Sequence, residues 1–167
     1  MSNYGISLYL GTGIEKNSEI IEKARAAGVK YAFTSLHLPE EKIEDYNREV
    51  DSLLELCHKA GIHLIVDIGP RTLEKLGLTS IYELKKTPIT HIRLDYGFTN
   101  QEMVELAKDF YIVFNASTLS IRDLEELKSL DMQFSKVSAC HNFYPKPLTA
   151  LSIDRVRAIN ERLHNYG

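Results

Sequence analysis

Short apolar stretches rich in β-branched and aromatic residues alternate along the chain with charged stretches whose apolar residues recur every three or four positions. The first pattern is typical of strands and the second of amphipathic helices. Strands that alternate with helices must run parallel and be joined by crossovers, so the pattern predicts an α/β fold. The predicted strands are Ile6–Leu10, Tyr31–Leu38, His63–Ile68, His91–Asp95, Tyr111–Ala116 and Phe134–Cys140.

Glycine and proline mark the limits of the predicted helices, because glycine suits the backbone beyond a helix end and proline suits the first turn. An amphipathic helix over Ser18–Ala27 is followed by Gly28, and a helical stretch from Pro39 to about Ala60 is followed by Gly61. The remaining predicted helices are Pro70–Leu76, Ser80–Lys86, Asn100–Lys108, Ser120–Leu130 and one that begins near Ser152.

Polar side chains share one face of several predicted strands. In the fourth strand Arg93 and Asp95 alternate with Ile92 and Leu94. A doubly wound sheet is covered by helices on both faces and should be apolar on both, whereas a TIM-type (β/α) barrel tolerates polar groups that lead to its mouth. The pattern therefore favours a TIM-type barrel, with a doubly wound sheet as the alternative.

Six strand–helix units are fewer than the eight that close a standard barrel. We therefore expect residues 1–167 to form one barrel domain that is incomplete, truncated after six units. An open sheet edge exposes unpaired backbone groups, which favours association into a homo-oligomer.

Composition and net charge limit the classes of molecule that the chain is expected to bind. Hydrophobic residues make up 44% of the chain and charged residues 26%, with a formal net charge of -3. This balance gives no basis for binding nucleic acid or an anionic membrane. Neither a bilayer-spanning run nor a signal peptide is predicted, so the expected location is the cytoplasm. Cys57 and Cys140 fit neither a disulfide framework nor a metal-ligand spacing.

Polar residues at the predicted strand ends supply the candidate chemistry, because the active sites of TIM-type barrels lie there. Asp67 and Asp95 end consecutive strands, and two such carboxyl groups can act as acid and as nucleophile or base in glycoside cleavage. We predict them as the catalytic pair. The alternative is structural: Asp95 would pair with Arg93, and Asp67 would cap the turn before Pro70.

The other candidates at these ends are predicted to bind substrate. The histidines are suited to hydrogen bonding with a sugar and the tyrosines to stacking on it, although packed histidines and a solvated Arg71 are the alternatives. No metal is predicted because no short ligand spacing occurs, and no cofactor because Gly11-Thr12-Gly13 lacks the third glycine of a nucleotide fingerprint. The predicted binding residues are Tyr9, His37, Arg71, Arg93, Asn115, His141, Asn142 and Tyr144.

Five segments in order along the chain carry a resemblance to a known family. They are Phe33–Glu40, Val66–Arg71, Leu94–Phe98, Asn115–Thr118 and His141–Pro145. With these segments the chain resembles the MupG family from Gly5 to about Ser152. Departures are Leu10-Gly11, where a proline-bearing turn is expected, and Ala150, where glycine is more usual.

The resemblance implies a TIM-type barrel followed by a cyclophilin-like β domain, which this chain lacks. It implies a cytoplasmic 6-phospho-N-acetylmuramidase, a glycosidase that hydrolyses a phosphorylated amino-sugar disaccharide, 6-phospho-N-acetylmuramyl-N-acetylglucosamine, in peptidoglycan recycling. Whether a truncated chain is itself active stays open. Two rival hypotheses are a phosphosugar isomerase, epimerase or lyase on the same barrel, and a sugar-binding protein without catalysis.

Overall fold

The computed structural model describes residues 5–36, 43–95, 97–115 and 136–138, together with isolated positions between 122 and 161. In this part six strands are hydrogen-bonded neighbours in chain order. The strands are β1 (Gly5–Ser7), β2 (Tyr31–Ser35), β3 (His63–Ile68), β4 (His91–Leu94), β5 (Tyr111–Asn115) and β6 (Lys136–Ser138).

The pairs β1/β2, β2/β3 and β5/β6 are parallel, which confirms the predicted α/β class. A doubly wound sheet reverses its strand order at a switch point. Among the described strands the order follows the chain without reversal. The strand order is therefore sequential. The polar faces of the predicted strands had likewise favoured a barrel over the doubly wound alternative.

Four helices and two 3-10 turns connect the described strands. The helices are α1 (Ile14–Ala26), α2 (Tyr46–Lys59), α3 (Pro70–Lys75) and α4 (Asn100–Leu106), and the 3-10 turns are Leu10–Thr12 and Ile81–Lys86. No helix in the described ranges combines the length and the hydrophobicity that crossing a bilayer requires. The predicted helices over Ser120–Leu130 and from Ser152 lie outside the described residues, apart from single positions.

Several predicted boundaries are wrong. Helix α1 begins at Ile14 and not at Ser18, and β2 ends at Ser35 and not at Leu38.

The first strand and the second helix also differ from their predicted bounds. The first strand was expected to reach Leu10, but it ends at Ser7 because Leu10 begins a 3-10 turn. The helix expected from Pro39 begins only at Tyr46, since Asp45 is extended (φ -136°, ψ 92°) and its side chain accepts a hydrogen bond from the backbone N–H of Arg48. An aspartate in this position satisfies an N–H that the first helical turn leaves unpaired.

The helix ends agree with the glycine signals. Gly28 follows α1 with φ 77°, and Gly61 follows α2 with φ 68°. A side chain on residues in this left-handed region would crowd the backbone, so glycine is the residue that ends a helix here at least cost.

Residues 1–92 form the first of two compact units. Helix α2 buries Val50, Leu53 and Cys57, which share one helical face, and it packs on β3. In β2 the burial alternates: Ala32 and Thr34 are buried, while the three odd-numbered residues of the strand are only half-buried. One face of β2 is therefore closed off more completely than the other.

Residues 93–167 form the second unit. Helix α4 buries Met103 and Leu106 and starts from Thr99, whose hydroxyl accepts from the N–H of Glu102 while Glu102 accepts from the N–H of Thr99. This reciprocal pair is a capping box, which satisfies two backbone donors at once. In the same unit, Asn115 of β5 is level with Ser138 of β6.

Replacing Asp45 tests the observed start of α2. Asp45→Ala removes the acceptor of the Arg48 N–H, so we expect the free energy of unfolding to fall by about 1 kcal/mol. Urea denaturation measures this change. Glu44→Ala is the matched control, because Glu44 is an exposed acid beside the cap and has no hydrogen bond to the helix. Equal losses in the two variants would contradict the capping role.

Candidate active site

Asp67 lies near the carboxyl end of β3, after an apolar run that is buried along its whole length. Its residue is only 7% exposed, and its Cα is level with that of Ser35 on β2. Since side chains alternate along a strand, a parallel partner at the same level places Ser35 and Asp67 on one face of the sheet. The structure thus sets a buried carboxyl group at the predicted end of the strand.

The turn after Asp67 is fixed by Thr72, which is fully buried. The Thr72 hydroxyl donates to the backbone carbonyl of Asp67 (3.0 Å) and accepts from the backbone N–H of Gly69 (3.2 Å). Pro70 then begins α3, where its missing N–H costs nothing. One hydroxyl therefore joins the strand to the helix directly behind the candidate carboxyl group.

Two predicted binding residues of the first unit are exposed. Tyr9 is 45% exposed, and its backbone carbonyl accepts from the buried side chain of Asn17 (2.8 Å), which holds the turn between β1 and α1. Arg71 is exposed in the first turn of α3. Both side chains are accessible to solvent and to a ligand.

Asp95 follows the last residue of β4 in the second unit, and Arg93 within that strand is 5% exposed. The Oδ1 atom of Asp95 is buried and has no hydrogen-bond partner in the described part of the chain. A buried acceptor without a partner costs about 1–3 kcal/mol relative to a satisfied one. The expected structural pair of Arg93 with Asp95 is therefore not formed through this oxygen.

The remaining predicted residues have no described side chains. Asn115 ends β5, as predicted, and is known only through its backbone. His37, His141, Asn142 and Tyr144 lie outside the described residues, as does Cys140. Their roles stay predictions, and so does the convergence of Asp67 with Asp95, which belong to different compact units.

Sequence reasoning did not single out Thr72. The spacing Gly69-Pro70-x-Thr72 carries a signal for it, because a hydroxyl three residues beyond the residue that precedes a helix can bond back to that residue's N–H. From the sequence, Ser35 is only one of the polar residues of the second predicted strand. The strand register of the structure places its Cα level with that of Asp67.

Metal and thiol chemistry find no support in the described ranges. No group of three histidine, cysteine or acidic side chains there is placed to hold a metal ion. Burial raises the pKa of the Cys57 thiol to about 12, so this thiol stays protonated at neutral pH and is a poor nucleophile. Cys57 is a core residue, as its position in α2 predicted.

Comparison with known proteins identifies the family. The family model described as 6-phospho-N-acetylmuramidase, N-terminal, matches residues 4–167. The chain belongs to this MupG family. The match confirms the resemblance carried by the five segments at the predicted strand ends. A comparison with curated proteins finds no match.

Two solved structures are similar to the chain. One is a conserved protein of unknown function from Enterococcus faecalis, with 30% identity and a TM-score of 0.78 over 99% of this chain and 46% of that chain. The chain thus spans about half the length of this relative. The other is thiamine phosphate pyrophosphorylase from Pyrococcus furiosus, with 12% identity and a TM-score of 0.54 over 96% of this chain and 69% of that chain. At this identity the likeness shows the fold alone: an α/β fold with a parallel sheet, whose structural neighbours are of the TIM-barrel type.

Thr72→Val tests the turn behind Asp67. Valine keeps the shape but lacks the hydroxyl, so two buried backbone groups lose their partner and the free energy of unfolding should fall by about 2 kcal/mol. Thr72→Ser keeps the hydroxyl and loses only a buried methyl group, which costs about 0.8 kcal/mol. Chemical denaturation of both variants distinguishes them. A valine variant as stable as the serine variant would show that the hydroxyl does not hold the turn.

Proposed function

We propose that the chain supplies carboxylate catalysis to a glycosidase that hydrolyses 6-phospho-N-acetylmuramyl-N-acetylglucosamine in the cytoplasm during peptidoglycan recycling. Membership of the 6-phospho-N-acetylmuramidase N-terminal family is the observation that carries the substrate class. The proposed framework is part of a TIM-type barrel, supported by the sequential strand order. In this framework the substrate lies over the carboxyl ends of the strands.

Asp67 and Asp95 are the proposed catalytic pair. Asp67 is nearly fully buried, and Asp95 has a buried oxygen without a partner among the described residues. Such groups are expensive for folding, and they are found most often where a protein uses them. A substrate hydroxyl would donate the missing hydrogen bond to this oxygen of Asp95.

The reaction needs one protonated and one ionised carboxyl group. The protonated group gives its proton to the glycosidic oxygen, which leaves with the electron pair of the broken bond. The ionised group either attacks the anomeric carbon or deprotonates the water that attacks it, and these routes give retention or inversion of configuration. In both routes one water molecule is consumed and two sugars are released.

The remaining predicted residues are proposed to bind the substrate. Side chains with amide or imidazole groups would orient the sugar hydroxyl and acetamido groups, aromatic rings would pack on sugar faces, and the arginines would pair with negative charge. The proposed set is Tyr9, His37, Arg71, Arg93, Asn115, His141, Asn142 and Tyr144.

Isosteric replacement of each aspartate tests the catalytic pair in the natural protein. Asp67→Asn and Asp95→Asn remove an acid–base group, so each should lower kcat for the phosphorylated disaccharide by about 10²–10⁴-fold. Mass spectrometry of the two released sugars measures turnover. The matched control is Asp51→Asn, an exposed residue of α2 that should leave turnover unchanged. Turnover within twofold of wild type in either active-site variant would contradict the assignment.

Hydrolysis in ¹⁸O-labelled water separates the proposal from its rivals. A glycosidase places one labelled oxygen on the released N-acetylmuramic acid 6-phosphate, whereas an isomerase or epimerase releases no second sugar and a lyase adds no water. Saturable binding of the disaccharide without any turnover would favour a sugar-binding protein instead.

A further inference from the structure

A cavity of about 490 Å³ lies within the first compact unit, at the start of β3 and β4 and beside the second half of α2. Its floor includes Ile62 and Leu64, each about 3% exposed. Leu54 and Pro88 add apolar walls. The volume falls in the range of small-molecule pockets, which combine apolar walls with a few polar groups.

Acidic side chains of α2 form part of the rim. Asp51 and Glu55 are one helical turn apart and therefore share a face of the helix. Glu55 is already paired with Lys59, at 2.6 Å between Nζ and Oε1, and this pairing lowers the pKa of the Glu55 carboxyl. Asp51 has no ion-pair partner among the described residues, so its charge is available to a ligand.

Imidazole rings also line the cavity. His63 and His91 are the first residues of β3 and β4, and their rings stack with centroids 4.6 Å apart. Tyr31, the first residue of β2, flanks His63 at 5.6 Å. Burial and the neighbouring His63 lower the pKa of His91, so the His91 ring is neutral at pH 7. The Nδ1 atom of His91 lies 2.9 Å from the hydroxyl oxygen of Thr90, within hydrogen-bond distance.

We propose that this cavity is a second binding site, and that its ligand is a small organic cation with an apolar body, such as an aromatic amidine or amine. The apolar floor would hold the body of the ligand. The Asp51 carboxylate would pair with the cation and accept from its N–H groups. The carboxylates on the rim disfavour phosphates and other anions.

The cavity is separate from the candidate active site. His63 opens β3 and Asp67 lies four residues later, which is roughly 13 Å along the strand at about 3.3 Å per residue. The two sites therefore use opposite ends of one strand, and binding at the cavity does not depend on the proposed hydrolysis.

Titration of the chain with benzamidine tests the proposal. We expect saturable binding with a Kd of about 1 mM, in line with a ligand of this size. Two-dimensional NMR should show the largest amide shifts at Ile62, Leu64, Thr90 and His91, which line the cavity. Benzamide and benzoate share the shape of benzamidine without its positive charge, and we expect each to bind at least about fivefold more weakly.

Substitutions test whether the Asp51 carboxylate pairs with the positive charge of benzamidine. Asp51→Asn should weaken benzamidine binding by about fivefold, since it removes one unit charge at roughly 4 Å in a solvated site. Glu19→Gln is the matched control, because Glu19 is an exposed carboxylate of α1 outside the cavity lining, and it should leave Kd unchanged. Failure of the Asp67 variant to hydrolyse the disaccharide bears only on the proposed function, because the binding assay contains no sugar.

Binding should also depend on pH. The titratable groups around the cavity are Asp51, Glu55 and His58 with Lys59 on α2, and His63, His91 and the flanking Tyr31 on the strands. Burial and the neighbouring His63 lower the pKa of His91, so this ring gains a proton only as the pH falls below the usual range of histidine. The positive charge of that ring, at roughly 5 Å from the ligand, should then weaken cation binding by about fourfold.

Three results would overturn the proposal. These are equal affinities for benzamidine and benzamide, an unchanged Kd in Asp51→Asn, and amide shifts that map away from the cavity. Tighter binding at pH 5 than at pH 7.5 would equally contradict a site for cations. Because Asp51 is exposed, its variant should fold, and an unchanged amide spectrum of the free variant verifies this.

Discussion

The parallel pairing of β2 with β3 determines where the chemistry of the first unit lies. Tyr31 is level with His63 at the start of the two strands, and Ser35 is level with Asp67 at their end. Because parallel strands run in the same direction, the first residues of all the strands lie at one end of the sheet and the last residues lie at the other end. The His63 imidazole and the Asp67 carboxyl group are therefore kept apart by the length of a strand.

The candidate carboxyl groups are held in surroundings that cost folding free energy. Removing a carboxyl group from water is unfavourable unless hydrogen bonds or opposite charges replace the water. Asp67 is nearly inaccessible, and one oxygen of Asp95 has no partner in the described ranges. Buried apolar residues of β3 and β4 lie next to these carboxyl groups along the chain. The hydroxyl of Thr72 holds the backbone at Asp67 in place.

Local sequence signals predicted most of the described elements. Apolar β-rich runs located β3 and β4 to within a residue, and glycines with positive φ mark the ends of α1 and α2. The start of α2 was misplaced because Pro39 and Asp45 are both residues that suit a helix start, and sequence alone does not say which of them is used. The polar residues at the strand ends stay candidates, and Thr72 was missed because its partners are backbone groups.

The order of apolar and polar residues by itself determined the α/β class, the sequence of strands and helices, and the placement of Asp67 and Asp95 at strand ends, because these features depend on local periodicity and on residues a few positions apart. Only the tertiary structure decided that Ser35 lies level with Asp67, that His63 stacks on His91, and that a cavity opens beside Asp51. Those relations join residues more than twenty positions apart in sequence or depend on how a helix packs on its strand. They follow from strand register and from the packing of α2 on β3, and neither is encoded in any short segment of the chain.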